Sequence, residues 1–198
     1  MSNKESNIFS FKLLQKKVAE GDTKAFRQIF DLLFLNLTKF SFLFVQSQEA
    51  STEIVDELFV QLWTKREAII HILDLRVYLY TATKNASLNY IAKRAKQIQL
   101  EPYDQIQVQM ADYNSPEQMM IDKEILNKIK QAIDQLPPRC KLIFKLVRED
   151  GLKYSEVAEI LNLSIKTIDN QLVIAVSRIK EVVQSLLQTD KNKIYLKK

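Results

Sequence analysis

The scarcity of turn-forming residues is the feature that most restricts the fold of this chain. Its 198 residues include only two glycines and four prolines. Because tight turns and hairpins draw heavily on these two residue types, a sheet of many short strands is disfavoured. Hydrophobic residues make up 46% of the chain, which is enough for a packed core. The sequence therefore predicts an all-α protein.

Apolar residues in the first half recur at spacings of three and four, which is typical of one buried helical face. The first such stripe follows Gly21 and Asp22, and Asp22 is a suitable N-cap for it. Its members are Phe26, Ile29, Phe30, Leu33, Leu37 and Phe40. A second stripe comprises Ile54, Val55, Leu58, Phe59, Leu62 and Trp63. A further helix is predicted from about Leu75 to Ala95.

The periodicity is lost between residues 98 and 115, a Gln-rich stretch that we interpret as a flexible linker. It separates a predicted helical domain at residues 10–97 from a second one at residues 116–186. Residues 187–198 are predicted to form a frayed basic tail. The expected fold is thus two small helical domains joined by a flexible linker.

Charge is distributed unevenly over the first domain, although the whole chain carries a formal charge of only +5. Between Phe40 and Thr64 the sequence has acidic residues but no Lys or Arg. Between Leu75 and Leu100 it has basic residues but no Asp or Glu. These two helices could be solvated faces that attract each other. Alternatively, the acidic helix binds a basic protein surface and the basic helix binds a polyanion.

The segment from Tyr154 to Leu172 carries the strongest local signal, that of a helix-turn-helix. Ala158 is small enough for a second helix to cross closely. Asn162 stands where the chain must turn, and Asn tolerates the left-handed conformation well. Ser164 is then expected to cap a recognition helix that runs to Arg178.

The inner face of that second helix is predicted from the spacing of Ile168, Leu172, Ala175 and Ile179. The other side could reach base edges and phosphates in a major groove. The candidate DNA-binding residues on this side are Ser164, Lys166, Thr167, Asn170, Gln171, Ile174 and Arg178. An ordinary helical hairpin is the competing interpretation of the same pattern.

The sequence contains no catalytic constellation, and neither an enzyme nor a cofactor is expected. His71 is the only histidine and Cys140 the only cysteine. Cys140 is predicted to be a small core residue, and no metal site is expected. The polar N-terminus lacks the apolar run of a signal peptide, and no segment approaches the roughly 20 apolar residues of a membrane helix. A cytoplasmic protein without membrane insertion is therefore expected.

Taken together, these segments resemble bacterial RNA polymerase sigma factors of the extracytoplasmic-function (ECF) group. In the first domain the resemblance lies in the runs at residues 21–26, 54–63 and 78–85. In the second domain it lies in residues 136–144 and 151–179. Together the two blocks cover most of the chain, and the order and spacing of these motifs are specific to this group.

The resemblance implies promoter-specific transcription initiation, with core RNA polymerase and promoter DNA as partners and an anti-sigma factor as a further candidate. It implies that the acidic helix binds polymerase through Glu53, Asp56, Glu57 and Gln61. It implies that the basic helix acts at the −10 element through Lys84, Asn85, Asn89, Lys93 and Arg94. The helix-turn-helix would recognise the −35 element, and the linker would run through polymerase.

The recognition helix departs from the family pattern at three positions. Asp169, Gln171 and Ile174 stand where members of the group often have Arg or Lys. These positions put base contacts by the recognition helix in doubt.

The sequence leaves two other functions open: a free-standing helix-turn-helix regulator with an N-terminal sensing or dimerising domain, and a purely protein-binding helical adaptor that binds no DNA. Such a regulator would bind its operator alone, whereas a sigma factor would need core polymerase.

Overall fold

A computed structural model of the protein describes the backbone of residues 2–98 and 120–195. Side chains are described for residues 11–96 and 127–185. Within these ranges the backbone forms helices and connecting turns, with no β-strand, so the prediction of an all-α fold is confirmed. The chain separates into two compact units, of which the first contains the first four α-helices and the second most of the remaining residues.

The first unit is built from four α-helices and one 3₁₀ turn. They are α1 (Ser2–Ala19), α2 (Thr23–Val45), α3 (Gln48–Thr64), the 3₁₀ turn Arg66–His71 and α4 (Leu75–Ile98). Asp22 caps α2 as predicted, because its carboxylate accepts hydrogen bonds from the backbone N–H groups of Ala25 and Lys24. These bonds, led by that of Ala25, lower the pKa of Asp22. The contribution of this cap to stability is lost as the pH falls through the lowered pKa.

The core of the first unit forms where α2 packs against α3 and α4. The Phe59 ring on α3 is 2% exposed and lies edge-on to Phe30, with their ring centroids 4.9 Å apart. Trp63 is half-buried and packs on Phe26 at 4.9 Å. The predicted stripes of α2 and α3 therefore do face this core.

Small polar side chains allow close packing on the α4 side of α2. The hydroxyls of Ser41 and Ser87 lie 2.9 Å apart, and both residues are fully buried. Gln15 of α1 is also buried, and its side-chain amide donates to the carbonyls of Ile69 and Ile72 in and after the 3₁₀ turn. These bonds satisfy carbonyls at the end of that turn and anchor α1 to it.

Helix α2 corrects one expectation from the sequence. By length and composition it is apolar enough to cross a membrane, although no such segment was predicted. The apolar residues of α2 do not form an uninterrupted run, because they are separated by the charged residues Arg27, Asp31 and Lys39. The residues that α2 buries, among them Ile29 and Leu37, belong to the core of the first unit. Burial accounts for part of the apolar composition of α2, since Leu32 and Leu35 on the same helix are 55% exposed.

The second unit is built around α8. In chain order the elements are α5 (Met120–Asp134), α6 (Pro138–Phe144), a π-helical turn (Lys145–Glu149), α7 (Tyr154–Leu161) and α8 (Ile165–Tyr195). Helices α5 and α6 both pack on α8. A buried cluster joins Leu136, Cys140 and Ala175, which confirms that Cys140 is a core residue.

The C-terminal part of the chain also differs from expectation. Helix α8 continues to Tyr195, where the sequence suggested a recognition helix ending at Arg178 and a frayed tail from residue 187. No Gly or Pro occurs after Gly151, so nothing in the sequence stops the helix. The predicted linker after Ile98 lies outside the described residues.

A buried ion pair links the first residue of the π-helical turn between α6 and α7 to the residue that follows the turn, and the sequence analysis did not anticipate it. The Lys145 ammonium lies 2.6 Å from a carboxylate oxygen of Asp150, and their side chains are 7% and 1% exposed. Asp150 immediately precedes Gly151, which has a φ of +68°. The pair thus spans the segment that leads into the helix-turn-helix.

We expect Lys145→Met to destabilise the protein by about 3–5 kcal/mol, because the substitution leaves the buried Asp150 carboxylate without the cation that it faces. Lys145→Met combined with Asp150→Leu should recover much of this loss. The matched control is Lys141→Ala, since the Lys141–Asp134 pair lies at the surface with side chains 28% and 55% exposed. That control should cost at most about 1 kcal/mol. Urea unfolding followed by circular dichroism measures all three, and equal losses for Lys145→Met and Lys141→Ala would contradict the prediction.

Candidate nucleic-acid and protein-binding surfaces

The turn between α7 and α8 has the geometry that the sequence predicted. Asn162 adopts the left-handed conformation with a φ of 53°. The backbone N–H of Leu163 donates to the carbonyl of Ala158 at 2.9 Å, which closes the end of α7. Ser164 then caps α8, because its hydroxyl accepts the backbone N–H of Thr167 at 3.0 Å. The direction in which α8 leaves the turn is set by these local bonds.

The inner stripe of α8 is confirmed. Ile168, Leu172 and Ala175 are buried, and Ile179 is half-buried. Five of the predicted DNA-binding residues are exposed: Ser164, Lys166, Asn170, Ile174 and Arg178. The structure therefore leaves most of the predicted face open to solvent.

The remaining two predicted DNA-binding residues are engaged within the protein. The hydroxyl of Thr167 lies 2.8 Å from that of Ser164, so it takes part in the helix cap. The side-chain oxygen of Gln171 accepts a hydrogen bond from the Cys140 thiol at 3.0 Å. Both residues are half-buried. Their polar groups thus serve to position α8, and Lys166 and Asn170 are freer to contact a ligand.

Three aliphatic residues of α8 that the sequence analysis did not name are exposed, and the first of them, Ile165, is 54% exposed. Val173 is 61% exposed and Val176 is 41% exposed. The sequence analysis named one aliphatic residue on the exposed side of α8, Ile174, and none of these three. Helical geometry could have identified Val173, because this residue stands 100° around the helix from Leu172 and away from the buried stripe.

The predicted polymerase-binding residues of α3 share one solvent-facing side. Glu53, Asp56, Glu57 and Gln61 are all exposed. The Gln61 amide donates to the Glu57 carboxylate at 3.3 Å, which places these two side chains side by side. The opposite side of α3 carries the buried Val55, Phe59 and Leu62. We call the exposed side the acidic face.

The predicted DNA-binding residues of α4 form a stripe along its second half. Asn85, Asn89 and Lys93 are spaced four residues apart, and all three are exposed. Arg94 is exposed beside them, whereas Lys84 is half-buried. We call Asn85, Asn89, Lys93 and Arg94 the basic stripe. Because no acidic residue occurs on α4, the stripe presents only neutral and positive groups.

No group of three or more His, Cys, Asp or Glu side chains that could hold a metal ion occurs among the described residues. His71 lies exposed at the end of the 3₁₀ turn.

Comparison with known proteins agrees with this arrangement. Residues 126–179 match the family described as Sigma-70, region 4. The chain is 22% identical over 183 residues to the ECF RNA polymerase sigma-E factor of Escherichia coli (strain K12), covering 89% of this chain and 95% of that protein. It is 24% identical over 167 residues to the ECF RNA polymerase sigma factor SigW of Bacillus subtilis (strain 168), covering 79% and 88% of the two chains.

Two solved structures share the fold. One is CnrH in complex with the cytosolic domain of CnrY, with a TM-score of 0.56, 16% identity, and coverage of 89% of this chain and 98% of that one. The other is the sigma factor RpoE from Bartonella quintana in complex with the anti-sigma factor NepR, with a TM-score of 0.55, 21% identity, and coverage of 81% and 98%. Because the matches to sigma-E and SigW span both helical blocks, they favour a sigma factor over a free-standing regulator. The chain belongs to the ECF group of bacterial RNA polymerase sigma factors.

Proposed function

We propose that this sigma factor divides promoter recognition among three separate helical surfaces: the acidic face of α3, the basic stripe of α4 and the exposed side of α8. The observation that carries the proposal is the separation of charge. An acidic, a basic and a capped helix follow one another along a chain that is similar over most of its length to an ECF sigma factor.

The acidic face binds core polymerase in this proposal. Its carboxylates are exposed and lie opposite the buried stripe, so a partner can reach them without disturbing the core. Complementary charge accelerates association and selects a basic partner surface. In the proposal, that basic partner surface lies on the polymerase clamp.

The basic stripe contacts the −10 element. Lys93 and Arg94 supply positive charge for phosphates, and Asn85 and Asn89 supply amides that can pair with exposed bases. The four-residue spacing of Asn85, Asn89 and Lys93 aligns these three side chains along one side of α4, and Arg94 follows Lys93 about 100° around the helix. This arrangement suits a strand that is being separated from its partner.

The exposed side of α8 contacts the −35 element. Lys166 lies in the first helical turn, where a docked helix points at base edges. Asn170 follows about one turn later, and its amide can pair with adenine. Arg178, near the end of this face, would bind phosphate. The linker of residues 98–115 would pass through polymerase between the two domains.

The proposal includes a regulatory partner and a cellular location. RpoE and CnrH have been solved with NepR and with the cytosolic domain of CnrY, respectively. By analogy an anti-sigma factor binds this chain, which acts in the cytoplasm without membrane insertion. The protein would have no catalytic activity or cofactor of its own, since promoter choice requires binding alone.

Transcription in vitro with purified core polymerase tests the function. The chain should bind core enzyme and direct initiation from a defined set of promoters, and core enzyme or chain alone should not. If the chain bound a palindromic DNA site tightly in the absence of core enzyme and did not associate with it, a free-standing regulator would replace this proposal.

Reversing charge on the acidic face should weaken binding to core enzyme. We expect Asp56→Lys with Glu57→Lys to raise the Kd by about tenfold or more, because attraction becomes repulsion while the buried stripe is untouched. The matched control is Glu20→Lys with Glu67→Lys, which makes the same charge change at exposed positions of the first unit outside α3. Fluorescence titration of core enzyme measures both. An unchanged Kd for the α3 variant would exclude this face as the contact.

Removing charge from the basic stripe should impair promoter melting. Lys93→Ala with Arg94→Ala should slow open-complex formation by the holoenzyme and reduce its salt dependence by roughly one unit of slope per lost phosphate contact. Lys12→Ala with Lys16→Ala, at exposed positions of α1, removes the same charge elsewhere. Permanganate footprinting follows the melted strand. Normal melting by the α4 variant would mean that the stripe is only solvated.

A further inference from the structure

The exposed side of α8 is unusually apolar for a surface that contacts DNA. Between Ser164 and Val176 it has a single basic residue, Lys166, whose charge is offset by the exposed Asp169. Val173 and Ile174 are 61% and 41% exposed on the same helix. Few phosphate contacts are available from this stretch, so the face is suited to contacting bases more than to anchoring on the backbone.

The position of Val173 on the helix places it beside the proposed adenine reader. At 100° per residue, Lys166, Asn170, Val173 and Ile174 all fall within about 50° of the direction opposite the buried stripe. Val173 and Ile174 flank Asn170 on its two sides. Val176 points more than about 100° away from that direction, although it is 41% exposed.

The chemistry of these side chains selects a class of base pair. Guanine in the major groove is read by the paired donors of Arg or Lys, whereas adenine is read by Asn or Gln and the thymine methyl by apolar groups. The centre of this face has one amide, Asn170, and two aliphatic side chains, and the cations Lys166 and Arg178 lie towards its two ends. Asn170 and Val173 are about 4.5 Å apart along the helix axis, close to the roughly 3.4 Å spacing of successive bases.

We propose that α8 reads adjacent A·T pairs in the upstream promoter element, with Asn170 bound to adenine and Val173 packed on the 5-methyl group of a neighbouring thymine. Val173 is thereby a specificity-determining residue. The proposal rests on the function proposed above, since it requires that α8 enter the major groove of the upstream element. It also gives the departures from basic residues on this helix a role, because they shift its preference away from guanine.

The test uses the full chain assembled with core enzyme, and begins by selecting promoters from a library randomised across the upstream element. Adjacent A·T pairs are expected at the centre of the selected element. Deoxyuridine, which lacks the 5-methyl group, is then placed at each selected thymine in turn. At one position the wild-type holoenzyme should lose about fourfold in affinity, the equivalent of one buried methyl group.

Two valine substitutions on α8 test which side chain causes the loss of affinity for the deoxyuridine promoter. Val173→Ala should bind the thymine and deoxyuridine promoters equally, whereas Val176→Ala, one turn further along α8, should keep the wild-type difference. Deoxyuridine in the spacer between the two elements should have no effect on any of the proteins. Because Val173 is largely exposed, its truncation should leave the circular dichroism of the chain unchanged.

Failure of this inference is distinguishable from failure of the proposed function. If the holoenzyme initiates at specific promoters but selects G·C pairs at the centre of the element, or if Val173→Ala remains sensitive to deoxyuridine, the role of Val173 is overturned and the sigma function stands. Retention of normal DNA affinity by Val173→Ala, together with loss of binding to core enzyme, would assign the apolar face to a protein contact instead. A chain that neither binds core enzyme nor directs initiation would overturn both.

Discussion

Burial of one apolar stripe per helix is the constraint on which the rest of this structure depends. A helix in a small unit must turn that stripe to its neighbours, and the angular position of every other side chain follows. In α3, Val55, Phe59 and Leu62 are committed to the core, so the carboxylates of the acidic face point outwards. In α8, Ile168, Leu172 and Ala175 are buried, so Lys166 and Asn170 point outwards. The proposed binding surfaces are thus the complement of the core.

The first residue of a helix determines which of its side chains lie on the exposed side. Left-handed Asn162 and capping Ser164 together define the first residue of α8, and Gln171, nearly two turns later, holds the helix against Cys140. A shift of one residue in this start would rotate the exposed side by about 100°. Turn and cap therefore matter to function through orientation, although neither residue's main role is to touch a ligand in the proposal.

Features set by local sequence were predictable, and features set by distant contacts were not. The stripes of α2, α3 and α8, the Asp22 cap and the Asn162 turn each depend on residues within a few positions of one another. In contrast, the bond between Cys140 and Gln171 joins residues 31 positions apart, and it removed Gln171 from the open surface. The amide of Gln15 finds its partners 54 and 57 residues away. No spacing rule in a single sequence reports such pairings.

The length of α8 has a mechanical consequence. Its 31 residues form one helix about 46 Å long, of which the proposed reading face occupies less than half. One ladder of backbone hydrogen bonds runs from Ile165 to Tyr195, so a displacement of the C-terminal turns is carried towards Asn170 by the same helix. A partner bound to the C-terminal turns of α8 could tilt the proposed reading face without covering it. The C-terminal turns of α8 and the proposed reading face thus belong to one continuous helix.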